Sequence, residues 1–564
     1  MLQPLSTFLV ETLYKLVTGV SRRMRVSRIY AFFCLILIAS SFFFKLIWWD
    51  DPFGGLKYDR QITTLDTIEA YARLGIDFFR PERYWTSAWE HFYVLEVSIY
   101  QALSAWVSGF TNTVISAARG TNLFFALLTL PVIFQIAIKY FCRKTATYAV
   151  LFYTFAPLNL MYQSATLIDV STTFFATTAY WMLVQYFDGS KSRTVFIIFF
   201  LASTCCVITK PLYFLPSGIL LATHFFQQQK WLQLKNIFIY INRHRAIISL
   251  FILVTLVMLL WVTIQKQVNT IFSLGPLQFF SFSHPFELQF YLRIIFRWML
   301  VVLNPITSLF FILGVFLLFR DHRRSAKIAL IYSILAYYLI FGGSITPHEY
   351  YLLPMVPFAS IIAGRGALWI EERVQSDFQM QSSYPLAAVI SLGSAICSVL
   401  IFSVYFVSTQ DVEQRSAHIS KEMNGVLEQG QYAYIFADHI NFPIRDYLVY
   451  NKMARLKYFA GLDSIEQIRF YSDPIRPTEI FSRLKTYGDF EFLMRINDKL
   501  FRRDGKTAWE LDVKKLQAPY QGHLRYLMFY RFTETVKSKF RNSIKDHKLI
   551  YNSDNWLVYD LVSE

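Results

Sequence analysis

Cysteine is scarce in this chain, and so are acidic side chains relative to basic ones. Only five of 564 residues are cysteines, and Cys34, Cys142, Cys205, Cys206 and Cys397 all lie in or beside apolar runs, none in the polar C-terminal region. That placement leaves no disulfide framework and no spacing for a zinc site. Asp and Glu total 39 against 55 Lys and Arg, a net charge of +16. The basic residues stand in small clusters at the ends of apolar segments, where orientation signals belong, which argues against nucleic acid as a partner. No small-residue cleavage site follows the first apolar run, so it reads as a retained helix and not a removed signal. An internal repeat of the kind that transporters carry in matching halves is also missing.

What is abundant is apolar length. Hydrophobic residues make up 54% of the chain and mean hydropathy is positive, which defines a polytopic membrane protein. The first run, Tyr30 to Trp49, follows Arg22, Arg23, Arg25 and Arg28, placing the N-terminus in the cytoplasm. Ten further runs lie near 118–141, 146–163, 169–187, 194–209, 211–226, 246–264, 298–319, 327–343, 350–368 and 385–407, predicting about eleven transmembrane helices. Alternate connections hold Arg143 with Lys144, Lys191 with Arg193, Lys230 through Arg245, Arg320 with Arg323 and Arg324, and Arg365 with Arg373. These are the expected cytoplasmic loops. The opposite set, at Gln163–Asp169, Lys210, 265–297 and Ser344–Tyr351, is poor in basic residues and faces outward. Residues 92–110 are apolar enough to cross, but a crossing there would reverse every later loop. They are expected to form an amphipathic helix on the outer membrane surface, with a true span as the alternative.

The composition turns polar after Val407, dividing the chain into a transmembrane domain, 1–407, and an outer α/β domain, 408–564. Tyr432–Ala437, Phe490–Met494 and Asn555–Leu561 read as strands, with helical patterns at 477–486 and 529–541. The region has no Gly-rich phosphate loop, and its expected role is structural or acceptor-positioning.

The chemistry concentrates in the first outer loop, 50–117. It carries carboxylates, guanidiniums and aromatic rings from Trp48-Trp49-Asp50-Asp51 through Tyr58-Asp59-Arg60-Gln61 to Arg83-Tyr84-Trp85. Glu96 stands in an apolar segment, where an ionised carboxylate is costly without a partner. Other outward turns supply Asp169, Lys210 and the run His348-Glu349-Tyr350-Tyr351. Converging, these would form a cavity in which cations hold a phosphate, carboxylates bind or deprotonate hydroxyls, and rings stack on a sugar.

The pattern Asp59-Arg60-Gln61, Gly75, Pro81, Glu96-Val97-Ser98-Ile99-Tyr100-Gln101 and Ala117-Ala118-Arg119 resembles the first loop of bacterial glycosyltransferases of the dolichyl-phosphate-mannose protein mannosyltransferase superfamily. That superfamily has the GT-C fold and includes the lipid A aminoarabinose transferases. The resemblance continues through Gln163-Ser164 with Asp169, Thr209-Lys210-Pro211, and His348 to Pro354 with Pro357, covering roughly residues 30–370. It extends weakly to Asp446-Tyr447-Leu448-Val449-Tyr450. It implies sugar transfer from a polyprenyl-phosphate donor to a lipid, glycan or protein acceptor at the outer leaflet, commonly with inversion. An acidic residue of the first loop, matching Asp59, is the usual catalytic candidate. Here Asp59 is followed by Arg60 where relatives have a second acid, and Glu96 precedes Val97-Ser98 where they often have an aromatic and Pro. The base therefore stays open between Asp59 and Glu96.

In an in-line displacement, Asp59 would accept the acceptor's proton while Arg60 and Lys210 stabilise the departing phosphate. Each residue has a plainer reading: Asp59 as a solvated loop aspartate, Arg60 as a carboxylate's partner, Lys210 as a snorkelling lysine. Glu96 and Arg119 could simply pair, Asp169 could cap its helix, His348 and Glu349 could be ordinary loop polars, and Tyr350 could belong to an aromatic belt. His224 and His284 receive no role. A divalent cation near the carboxylates is compatible with the pattern, though no ligand spacing argues for it. The rival class is a transporter or flippase of lipid-linked sugars; a noncatalytic scaffold is a third. The expected location is a bacterial inner membrane, with the C-terminal domain periplasmic.

Overall fold

In the computed structural model, helices occupy nearly all of the described N-terminal 404 residues. The described residues are 25–46, 58–78, 96–111, 113–228, 234–268, 288–322, 326–345, 349–379, 385–404, and the strands 432–437, 501–504, 508–511, 524–530, 548–552 and 556–560. The helices run α1 Arg25–Leu46, α2 Tyr58–Leu74, α3 Ile99–Ser108, α4 Val114–Tyr140, α5 Arg143–Phe155, α6 Pro157–Tyr162, α7 Asp169–Phe187 and α8 Arg193–Thr209. Then follow α9 Leu215–Gln228, α10 Leu234–Arg243, α11 Arg245–Val268, α12 Leu288–Arg297, α13 Pro305–His322, α14 Ala329–Ile345, α15 Val356–Asp377 and α16 Pro385–Val404.

Among the described residues, four helices are long and apolar enough to cross a membrane, or five if a pair bent by 118° counts as one span. About eleven were expected. Three of the other apolar runs form shorter helices, Tyr30–Leu46, Arg193–Thr209 and Ala329–Ile340, and two are interrupted at proline: 146–163 breaks at Ala156 before Pro157, and 211–226 opens as a 3-10 turn over Pro211–Phe214. The run at 350–368 opens as a 3-10 turn over Glu349–Met355 and is still one of the four. A proline lacks the amide that would continue the helical ladder, and it pushes the preceding residue toward extended geometry. Of the expected helix at 92–110, the described residues 96–110 hold α3, ten residues long. At 1.5 Å per residue this is about half the thickness of a bilayer's hydrocarbon core, too short to span.

The sharpest bend sits between Val302 and Pro305. Asn304 takes the left-handed conformation there, with φ of 64°. Its amide is fully used: Oδ1 accepts from Thr307 N at 2.9 Å, capping α13, while Nδ2 donates to Ser398 Oγ at 2.6 Å and Ser394 Oγ at 3.1 Å. Asn tolerates this region better than most residues, and the buried bonds fasten α13 to α16. Elsewhere helix starts are capped conventionally, with Thr113 and Ser192 accepting from Ser116 N and Val195 N.

The core is a continuous apolar cluster centred on α4, α5, α7, α14 and α15. Close approach of α15 to α13 and α5 requires glycine. A Cβ at Gly366 would lie 2.0 Å from Phe310 O, one at Gly314 2.0 Å from Ile362 O, and one at Gly364 2.7 Å from Thr145 O. Small residues at helix crossings let backbones meet where lipid supplies no hydrophobic driving force. At the end of α5, buried Glu371 accepts from Lys144 Nζ at 2.6 Å and from Tyr148 OH at 2.7 Å.

The expected strands at 432–437 and 555–561 are present as β1, Tyr432–Ala437, and β6, Trp556–Asp560. With β4, Leu524–Tyr530, and β5, Lys548–Asn552, they form a sheet in the order β1-β4-β6-β5, and β2, Phe501–Asp504, pairs separately with β3, Ala508–Leu511. The expected helix at 529–541 is corrected at its start, since Phe529 and Tyr530 belong to β4, pairing with Leu557 and Trp556. The patterns at 477–486 and 490–494 lie outside the described residues.

Replacing Gly366 with Ala is expected to cost about 1–3 kcal/mol through overpacking. Gly218→Ala, where nothing lies within 4 Å, should be neutral or stabilising by up to ~1 kcal/mol. Thermal unfolding of the detergent-solubilised protein reads both; equal melting temperatures for the two variants would contradict the close crossing.

Candidate active site

The loop from Gln163 to Asp169 is the hub. Six of its seven residues are buried and Ser164 is half-buried. A buried loop needs partners for its backbone; side chains from two helices supply them, and a third helix reaches the side chain at the loop's start. Gln61 on α2 accepts from Thr166 N through Oε1 at 3.1 Å. Asn122 on α4 donates to Ala165 O at 2.5 Å and Leu167 O at 2.8 Å. Lys45, the penultimate residue of α1, donates to Gln163 Oε1 at 2.7 Å.

Asp169 ends the loop as the first residue of α7. It does not cap that helix: the N-cap is Ile168, which makes no side-chain cap. The carboxylate, fully buried, instead accepts through Oδ1 from Lys210 Nζ at 2.5 Å and from Tyr213 OH. Lys210 is therefore not a snorkelling lysine. Its side chain is only 10% exposed, and its ammonium lies 5.0 Å from the Tyr350 ring, 4.5 Å from Tyr351 and 5.5 Å from Tyr213. A cation desolvated among three rings and one carboxylate is a strong electrostatic fixture.

The 3-10 turn Glu349–Met355 brings the fourth wall. Glu349, buried, accepts from Tyr162 OH at 2.7 Å, and the Tyr162 and Tyr350 rings meet edge to face at 6.1 Å. Tyr213 OH also reaches Tyr350 O at 3.3 Å, and Tyr337 OH donates to Tyr351 O at 2.8 Å. Glu349 and Tyr350 are thus built into the site and are not loop polars or an interfacial belt.

The first-loop residues arrive on two elements. Asp59 and Arg60 lie in the first turn of α2 and not in an irregular loop; Gln61, the next residue, is the one bonded to Thr166, which sets that turn beside the hub. Glu96 was expected on an apolar helix, but it precedes the helix, in the turn before Ser98 and Ile99. It is 4% exposed and accepts from Gln101 Nε2 at 3.3 Å. Its neighbour Val97 donates its amide to Ile208 O at 3.0 Å, fixing this turn against the end of α8 two residues before Lys210. Arg119 is 2% exposed on α4, one turn before Asn122. His348 lies outside the described residues.

Asp169, Lys210, Glu349 and Tyr350 are therefore in direct or one-step contact, the turn that carries Glu96 is bonded through Val97 to the end of α8, the start of α2 is bonded to the hub loop, and Arg119 shares α4 with Asn122. Sequence reasoning gave no role to Lys45, Tyr162 or Tyr213. Lys45 had a signal, a charge near the end of an apolar run; the tyrosines had none, because the chain has 35 of them. Of the histidines without a role, His224 accepts or donates to Tyr240 OH at 3.0 Å and stacks on Phe187 away from these residues; His284 lies outside the described residues. Among the described residues no group of three or more His, Cys, Asp or Glu gathers closely enough to hold a metal ion.

No family model matches the chain, and no curated protein matches it in sequence. Its structure is similar to that of ArnT from Cupriavidus metallidurans bound to undecaprenyl phosphate, with a TM-score of 0.60 and 12% identity over 94% of this chain and 98% of that one. The likeness to apo ArnT is the same, with coverage of 93% and 97%. It is also similar to the Archaeoglobus fulgidus oligosaccharyltransferase in complex with zinc and sulfate, with a TM-score of 0.52 and 9% identity over 88% of this chain and 68% of that one. The same archaeal protein, AglB, in complex with an inhibitory peptide and a dolichol-phosphate gives 0.52 and 10%, over 88% and 69%. The chain has the GT-C fold, as its first-loop resemblance implied.

Lys210→Met would leave Asp169 buried beside one hydroxyl and no cation, a change expected to cost about 3–5 kcal/mol. The double variant Asp169→Asn/Lys210→Met should recover part of that loss, since no buried charge remains unpaired. Melting temperatures of the two variants in one detergent provide the check; a double variant less stable than the single would contradict the pairing.

Proposed function

We propose that this chain transfers a sugar from a polyprenyl-phosphate-linked donor to an acceptor at the outer, periplasmic face of a bacterial inner membrane. One observation carries the reading: a buried lysine ringed by tyrosines and bonded to a carboxylate sits in a fold in which ArnT was crystallised with undecaprenyl phosphate. Buried charge in a membrane protein is costly and marks function by default. Eleven crossings, several of them broken at proline, would place the hub, Lys210 and Glu349 at one leaflet, with the domain 408–564 an α/β lid above them.

The reaction is an in-line displacement with inversion. The acceptor oxygen forms a bond to the anomeric carbon as the bond from that carbon to the phosphate oxygen breaks, and the electron pair leaves with the polyprenyl phosphate. Asp59 accepts the acceptor's proton, and Glu96, fixed beside the end of α8, is the second candidate for that task. Arg60, Arg119 and Lys210 face the growing charge on the phosphate. Asp169 holds Lys210 in place, while His348, Glu349 and Tyr350 bind the sugar and its phosphate through hydroxyl and ring contacts. A sugar offers hydroxyls to carboxylates and an apolar face to rings, and this set supplies both.

Asp59→Asn removes the base and keeps its shape. Transfer from a radiolabelled polyprenyl-phosphate sugar in purified membranes should fall by about 10²- to 10⁴-fold. Near-native transfer by a folded Asp59→Asn protein would overturn the assignment, and movement of intact lipid across vesicles without consumption of donor would make the chain a flippase.

A further inference from the structure

Two buried lysines enter this framework. Lys210 has the carboxylate of Asp169. Among the described residues, Lys45 has no carboxylate partner. It is 1% exposed, and among the described residues its Nζ meets the amide oxygen of Gln163 at 2.7 Å and the face of Phe42 at 4.4 Å. A buried ammonium with an amide and a ring for company keeps a large desolvation cost that a neutral acceptor does not offset. Gln163 Nε2 is buried beside the Tyr153 hydroxyl and makes no full hydrogen bond among the described residues.

The setting says what would satisfy both. Gln163 opens the hub loop whose other end is Asp169, and it directly follows Tyr162, the donor to Glu349. Lys45 therefore enters the same framework from α1. Asp169 offsets part of the charge of Lys210, so a phosphate that faces Lys210 is held more firmly when it also reaches Lys45, a cation with no carboxylate partner among the described residues. We infer that Lys45 and Gln163 form an anion subsite that holds the phosphate of the polyprenyl carrier. This rests on the glycosyl-transfer reading above, and it assigns Lys45 a positioning role through that phosphate.

The test compares two probes, undecaprenyl phosphate and undecaprenol, which share the tail and differ in the anion. Full-length protein in one detergent is titrated with each, and the ratio of the two affinities is the readout. The wild type should prefer the phosphate, Lys45→Met should lose roughly tenfold or more of that preference, as expected for a charge-assisted bond, and Lys45→Arg should keep most of it. Gln163→Glu supplies the missing counter-ion inside the protein, so it should raise the melting temperature and lower the preference together. That variant remains informative if Lys45→Met does not fold. Wild-type preference in folded Lys45→Met, or unchanged preference in Gln163→Glu, overturns the subsite and leaves the transfer reading standing. A wild type that binds the two probes equally overturns both.

Discussion

A buried loop must hydrogen-bond its own backbone to something, and in this protein that requirement organises the site. Gln163–Asp169 runs through the interior between two helices and makes no sheet or helix over most of its length. Its carbonyls and amides are met by side-chain amides from α2 and α4, and an ammonium from α1 reaches the side chain at its start. Each of those side chains fixes a neighbour of chemical interest: Gln61 follows Asp59 and Arg60, and Asn122 lies one turn beyond Arg119. The polar residues of the first loop are placed by the cost of leaving peptide groups unpaired in a medium without water.

Charge is handled by the same economy of partners. The carboxylate at the far end of the loop binds Lys210, and rings from the Glu349–Met355 turn and Tyr213 close over that ammonium. Removing one member of such a set costs more than the set contributes, because the survivor stays buried. Among the described residues the arrangement thus pairs Lys210 with Asp169 and leaves Lys45 without a carboxylate. A substrate carrying both an anion and hydroxyls complements that contrast.

Much of this was legible in the sequence, and the limits have physical causes. The turns with Asp169, Lys210 and Glu349 stood out because charged groups between apolar runs are conspicuous, and their meeting is seen in the structure. The number of spans was less legible, because hydropathy reads composition and does not see that Pro157 or Pro211 interrupts a helix inside an apolar run. Glu96 was placed on a helix that begins three residues later, since Val97-Ser98 carry no strong stop or start signal. Tyr213 and Tyr162 were invisible because their importance lies in where a hydroxyl points. The GT-C fold itself followed from short spaced pieces, and the likeness to ArnT over nearly the whole chain agrees with it at only 12% identity.

Sugar transfer as proposed requires a lipid phosphate to bind where the hub loop, the Lys210 turn and the Glu349–Met355 turn meet. Photo-crosslinking with a polyprenyl phosphate that carries a diazirine beside its phosphate, followed by peptide mapping, measures this directly. Labelled peptides should contain residues 161–169, 208–213 or 349–355, and unlabelled undecaprenyl phosphate should compete. Label confined to the other end of the bundle, around Lys144 and Glu371, would contradict the account.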